Sequence, residues 1–274
     1  MSSDAPLVPD VVYPVSCFVH IAARLTRQAS CDLQGRVHDG QMQRGSLKTQ
    51  VFRAEIEGVP VALIRPDWDR CNIFRGQRIY GGSYNEVEAY LYFCRAALEY
   101  LERTNRHADV LHLHEWQASA AALLYWDHFH KMTSLKSPKV MLTLHNTDST
   151  GEVRQDEFAV TGVDGALFAT VERALDERTI GHNPERLNLL KGGINYSNIV
   201  TTVSPTYRKE TAEGGAGWLR YAVDCRPSCM RQTASTQHPR CCDWVVGVMG
   251  KHVGASVLSI ILVVLLYYLY LLFV

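Results

Sequence analysis

The sequence predicts an α/β chain built on a doubly wound parallel sheet, and three observations carry that prediction. Short apolar runs alternate with segments of helical periodicity, most clearly over residues 105–212. The links between those runs are too long for tight hairpins, which leaves helical crossovers between parallel strands. Three of the runs stop abruptly at polar residues, His114-Glu115, His145-Asn146 and Ser204. In a parallel sheet such endings share one edge, and that edge is where ligands bind.

Each element follows in order. Residues 1–50 carry weak signals: a candidate strand, Phe18–Ala22, inside Tyr13–Leu25, then a polar, loop-like stretch from Arg27 to Ser46. VFRAEI and VPVALI flank Glu57-Gly58 and read as a hairpin ended by Arg65-Pro66-Asp67. A long loop reaches Ser83, where Ser83-x-x-Glu86 forms a capping box, with Asn85 as a competing cap. Val87, Tyr90, Leu91, Cys94, Leu98 and Leu101 then share one helical face, which predicts a helix over 86–103. Val110 to Leu113, interrupted by His112, reads as a buried strand. From Gln117 the spacing of Ala118, Ala121, Ala122 and Tyr125 turns helical, to about His130. KVMLTL at 139–144 is the next strand. Thr147 to His182 reads as an insertion with a short helix near 168–177. Asn183-Pro184 has the chemistry of a helix start, and Gly192-Gly193 that of a stop. NIVTTV at 198–203 is a further strand, and Ser204-Pro205 opens the helix after it.

Basic and acidic residues balance at 28 each, so composition gives no electrostatic case for nucleic acid. Neither Gly81-Gly82 nor Gly192-Gly193 forms a phosphate-cradling GxGxxG or P-loop, and no GxSxG elbow supports a nucleophile. No metal site is expected. Asp127, His128 and His130 lack a matching cluster, and Cys225, Cys229, His238, Cys241 and Cys242 lack a strand or helix pattern to hold them. The residues at the strand ends are better candidates. Imidazole and carboxamide groups each offer a donor and an acceptor, which suits sugar hydroxyls, and Trp116 has the ring to stack on a sugar. Ser204 is explained by helix capping alone.

These residues also resemble a family. YGGSYNEVEAYLYFCRAALEYLE, ADVLHLHEWQASAAALLYWD, KVMLTLHNT, NPERLNLLKGGINYSNIVTTVSPTYRKET and AEGG follow one another in the order and spacing of plant and algal starch synthases and bacterial glycogen synthases. The similarity runs from about Val51 to Gly215. It implies the N-terminal, acceptor-side half of a GT-B fold, in which two Rossmann-like domains face each other across a cleft. It implies glucosyl transfer from ADP-glucose to the non-reducing end of an α-1,4-glucan, with retention. No cofactor is implied beyond that donor substrate. Under the resemblance His145 and Asn146 match the family's His-Asn, whose histidine reaches the donor glucose. His114, Glu115, Trp116 and Gln117 match a His-Asp/Glu-Trp-Gln beside the acceptor, and Tyr80, Gly81 and Gly82 fall on a loop near the same cleft. The family's Lys-x-Gly-Gly-Leu has no counterpart in this sequence, because FVHIAAR passes into RLTRQASCDLQGRV instead.

The expected organisation is a degenerate start over 1–50, a synthase acceptor-side domain over 51–217, an irregular segment over 218–250 and an apolar tail over 251–274. The tail carries no charged residue from Val253 to Val274, long enough to cross a bilayer as a helix. The family similarity stops near Gly217, so the tail reads either as a membrane anchor or as the product of intron read-through or a shifted frame. The family implies a plastid, although no transit peptide is evident. Two functions from different classes follow: a truncated starch synthase-like glucosyltransferase, or a non-catalytic glucan-binding half-domain tethered by the tail.

Overall fold

A computed structural model describes residues 11–14, 26–33, 47–56, 59–67, 86–135, 137–169, 185–211, 213 and 259–262. Its centre is an eight-stranded sheet in the order β2-β3-β4-β1-β10-β5-β6-β9. The strands are β1 (Val11–Pro14), β2 (Thr26–Leu33), β3 (Leu47–Ile56), β4 (Val59–Pro66), β5 (Val110–His114), β6 (Lys139–Leu144), β9 (Ile199–Thr202) and β10 (Ser259–Leu262). From β4 through β1, β10, β5 and β6 to β9 every neighbouring pair is parallel. The β3–β4 pair is antiparallel, with Ile56 opposite Val59, as the hairpin reading requires.

The α/β prediction holds. Burial alternates along β5 and β6: Leu111, Leu113, Val140, Leu142 and Leu144 are all but inaccessible. They join one core with α1 (Glu86–Arg103) and α2 (Glu115–Asp127), to which Tyr90, Phe93, Leu98 and Leu124 contribute. Burying each such side chain is worth about 1.5–3 kcal/mol, which is what holds the helices on this face. The opposite face of the same strands carries His112, His114, Thr143 and Thr201. Strands buried in a parallel sheet usually read as continuous apolar runs, so this polar row is a departure.

Four expectations are corrected. Arg27–Ser46 was read as loop, yet Thr26–Leu33 is a strand paired with β3. An edge strand is held by its ladder and can be polar throughout, so it leaves no apolar run to detect. Asn183-Pro184 lies outside the described residues, and the chain just after it is a strand, β8 (Arg186–Asn188), paired with β7 (Glu152–Arg154). The helix begins at Leu189 instead: α3 (Leu189–Tyr196) is capped by the Asn188 side chain, which accepts from Lys191 N at 2.8 Å. Gly192-Gly193 does not stop that helix but lies buried within it. A Cβ on Gly193 would fall 2.4 Å from Ser119 Oγ, so the glycine lets α3 close on α2. Finally, α2 ends at Asp127, short of His130, and a 3-10 turn, Phe129–Lys131, follows. Of the helix expected near 168–177, Gly165–Ala169 is a 3-10 turn and the rest lies outside the described residues, as does Phe18–Ala22.

Of the apolar tail, Ser259–Leu262 lies among the described residues and forms a central strand with β1 on one side and β5 on the other, which gives the membrane-anchor alternative no support. SIIL holds two β-branched residues, and hydropathy alone cannot tell an apolar parallel strand from part of a spanning helix. No helix among the described residues is long and apolar enough to cross a membrane. The Cys225–Cys242 cluster lies outside them.

Because β10 is paired on both sides, its backbone should not tolerate proline. Ile260→Pro is expected to cost on the order of 1–3 kcal/mol, at about 2–4 °C of melting temperature per kcal/mol. A thermal unfolding curve unchanged from that of the parent chain would contradict the strand.

Candidate functional site

The ends of β5, β6 and β9 meet at one edge of the sheet because the three strands are parallel and in register, with His114 opposite Thr143 and Thr143 opposite Thr201. The edge is tied together by Glu115. This residue turns the chain from β5 into α2 and takes φ +60°, a left-handed conformation that a side chain other than glycine rarely adopts. Strain of that kind costs about 1–3 kcal/mol and persists where the surroundings over-determine it. Here they do. Glu115 Oε1 accepts from the backbone N–H of His145 and from that of Asn146 at 3.0 Å, so the carboxylate fixes the end of β6 against the end of β5.

The imidazoles stand on that frame. His114 Nδ1 and His145 Nε2 share a hydrogen bond of 2.9 Å, with ring centroids 5.2 Å apart. His112, two residues back on the same face of β5, packs its ring 4.3 Å from that of His114. Its Nε2 meets Thr143 Oγ1 at 2.7 Å, and Thr143 Oγ1 meets Thr201 Oγ1 at 2.8 Å. A continuous polar line therefore crosses three strands. Sequence reasoning missed His112, Thr143 and Thr201. The available signal was slight: His112 two residues before His114 in an otherwise apolar run, and threonines near the ends of KVMLTL and NIVTTV.

All three histidines are held neutral near pH 7. Burial lowers His112 to about 4, helped by His145, and lowers His114 to about 3, helped by His112 and His145. Burial lowers His145 as well. Glu115 is pushed up by burial, against the two backbone N–H groups that stabilise its charge. Neutral imidazoles beside one carboxylate make a hydrogen-bonding surface suited to hydroxyl groups, with donors and acceptors in alternation.

The remaining expected site residues divide. Asn146 is exposed at the edge, and its Oδ1 accepts from Asp148 N at 3.2 Å, closing a local turn. Gln117 is buried, its Oε1 has no partner among the described residues, and its backbone carbonyl accepts from Cys94 Sγ. Trp116 is buried. It is 7% exposed, set edge-on to Tyr90 at 5.3 Å, and a Cβ on Gly151 would fall 2.2 Å from its Cε3. The Gly151 backbone therefore lies close against its six-membered ring. Ser204 is the cap of α4 (Pro205–Glu210) and accepts from Tyr207 N at 3.0 Å. Tyr80, Gly81 and Gly82 lie outside the described residues. Among the described residues no group of histidine, cysteine and carboxylate side chains could hold a metal ion.

A parallel Rossmann-like sheet with its polar strand ends on one edge is the architecture of one half of a GT-B glycosyltransferase. The chain belongs to the starch synthase family: residues 12–221 match the family model described as the starch synthase catalytic domain. It is 37% identical over 172 residues to probable starch synthase 4, chloroplastic/amyloplastic, of Arabidopsis thaliana, covering 62% of this chain and 16% of that protein. It is also 37% identical over 169 residues to a glycogen synthase of Protochlamydia amoebophila, covering 61% of this chain and 32% of the relative. Among solved structures it is similar to the catalytic domain of starch synthase IV from Arabidopsis thaliana bound to ADP and acarbose. The TM-score there is 0.66 at 30% identity, over 78% of this chain and 42% of the other. The chain thus spans between about a sixth and a third of the length of these two relatives.

Two outcomes test the site's construction. Glu115→Ala should lose on the order of 2 kcal/mol in urea unfolding, since it removes charge-assisted hydrogen bonds to two backbone N–H groups. No loss would show that the carboxylate does not join the strands. Stability should also fall on acidification. A histidine whose folded value is depressed contributes stability that is present above its unfolded value of about 6.5 and lost as pH falls toward the folded value. For His112 and His114 that window runs from about 6.5 down to about 4 and about 3. Glu115 acts with the opposite sign, but three imidazoles outweigh one carboxyl. Melting temperatures at pH 7.5 and pH 5 should therefore differ, and replacing His112 and His114 by asparagine should reduce the difference.

Proposed function

We propose that this edge is the acceptor-side wall of a starch synthase-like cleft, serving glucosyl transfer from ADP-glucose to the non-reducing 4-hydroxyl of an α-1,4-glucan, with retention. The observation that carries the reading is the Glu115 clamp. It presents His145 and Asn146 at the end of β6 beside His114, in a chain of the starch synthase family. In such a transfer the bond between glucose C1 and the diphosphate oxygen breaks and the bond from C1 to the acceptor oxygen forms. The acceptor hydroxyl gives up its proton. The residues here would act by holding sugars. Neutral His145 and the exposed Asn146 offer hydrogen bonds to the donor glucose, and His114 and its neighbours line the side next to the acceptor. Preorganised polar groups of this kind position the reacting atoms, and positioning is a large share of such catalysis. The donor is ADP-glucose, no cofactor is needed besides it, and the compartment is the plastid, in keeping with the chloroplastic/amyloplastic Arabidopsis relative.

A second reading has its own support. The Lys-x-Gly-Gly-Leu that meets the nucleotide phosphates in the family is absent from this sequence, which favours a glucan-binding module without transfer. Two assays on the full chain separate the readings. Under the enzyme reading, radiolabelled ADP-glucose gives incorporation into amylopectin above blank, and His145→Ala reduces it at least tenfold. Under the module reading, incorporation stays at blank while the chain is retarded in an amylopectin-containing gel. Neither incorporation nor retardation would overturn both.

A further inference from the structure

The hydrogen bond between His114 and His145 joins two neutral rings, so one nitrogen must donate and the other accept. Which one donates decides the chemistry that His145 offers. His114 Nε2 is buried and no described residue hydrogen-bonds it. A buried N–H without an acceptor is among the rarest arrangements in folded proteins, whereas a buried acceptor without a donor is tolerated more often. The proton of neutral His114 therefore belongs on Nδ1, facing His145 Nε2 across 2.9 Å. His145 Nε2 must then be the acceptor, and the single proton of neutral His145 stands on Nδ1.

We infer that His114 is a positioning residue that locks His145 in its Nδ1–H tautomer, making it a hydrogen-bond donor toward a sugar oxygen, with His112, Thr143 and Thr201 holding the His114 ring in place. The support is the geometry of the polar line. His112 stacks 4.3 Å from His114 with the rings tilted by 36°, and Thr143 and Thr201 fix His112 through bonds of 2.7 and 2.8 Å. None of the three supporting residues needs to touch a sugar. The class of ligand group follows from the tautomer: an oxygen acceptor, such as a sugar hydroxyl or ring oxygen. That last clause rests on the glucosyltransferase reading above, whereas the tautomer does not.

The test is long-range proton–nitrogen NMR of the full chain labelled with nitrogen-15, at pH 7.5, which reads the protonated nitrogen of each imidazole directly. His145 is expected to show a protonated Nδ1 and a bare Nε2. His114→Phe keeps a ring but has no donor, and His145 should shift toward a mixture of tautomers. In His114→Asn the carboxamide N–H can donate from nearly the same place, and the parent pattern should return. Thr143→Val should broaden or move the His114 resonances, and Thr143→Ser should restore them; this pair keeps the test decisive if His114→Phe fails to fold. A protonated Nε2 on His145 in the parent chain overturns the inference, as does an unchanged His145 pattern in His114→Phe or an unmoved His114 in Thr143→Val. Because the readout needs no sugar, failure of glucan binding would defeat the proposed function while leaving this result standing.

Discussion

The site depends on one interaction, the capture of two consecutive backbone N–H groups, His145 and Asn146, by the Glu115 carboxylate. It links the end of one strand to the end of the next, 30 residues on in sequence. Without it the β5–α2 turn has no evident reason to hold a glutamate at φ +60°. With it, the strained turn, the exposed Asn146 and the paired imidazoles become parts of one construction. The arrangement resembles an N-terminal helix cap in its chemistry, a carboxylate accepting from free backbone donors, but it works across strands.

Below that clamp the sheet separates two environments. One face is apolar and packs on α1, α2 and α3, where Gly193 lets two helices touch through Ser119. The other carries a line of imidazole and hydroxyl groups running from His145 through His114 and His112 to Thr143 and Thr201. Burial keeps the imidazoles uncharged, so the line neither repels itself nor attracts ions. Neutral imidazoles and hydroxyls of this kind each offer a hydrogen-bond donor and an acceptor.

Much of this was legible in the sequence. The α1 boundaries follow from periodicity, and the parallel order of β5, β6 and β9 follows from the length of their connections. The strand ends at His114 and His145 were visible because polar residues interrupt apolar runs there. Other features were hidden for physical reasons. Thr26–Leu33 is held by its ladder to β3, not by an apolar pattern, so a polar sequence can still be a strand. Gly192-Gly193 looks like a stop because glycine is a poor helix former, yet packing against Ser119 overrides propensity. The close packing of Trp116 against Gly151 has no signal in the sequence, since it joins residues 35 positions apart. Ser259–Leu262 lies in a stretch with the hydropathy of a membrane segment and forms a central strand, two structures that hydropathy does not distinguish.

The central claim is that the strand-end edge carrying His114 and His145 is a sugar-binding wall. It is tested most directly by titrating the labelled full chain with a linear α-1,4-gluco-oligosaccharide while following each histidine ring. The account predicts saturable shifts at His114 and His145, with exposed His107 unmoved as an internal control. Shifts confined to His107 and other surface residues, or no saturable shift at any histidine, would contradict it.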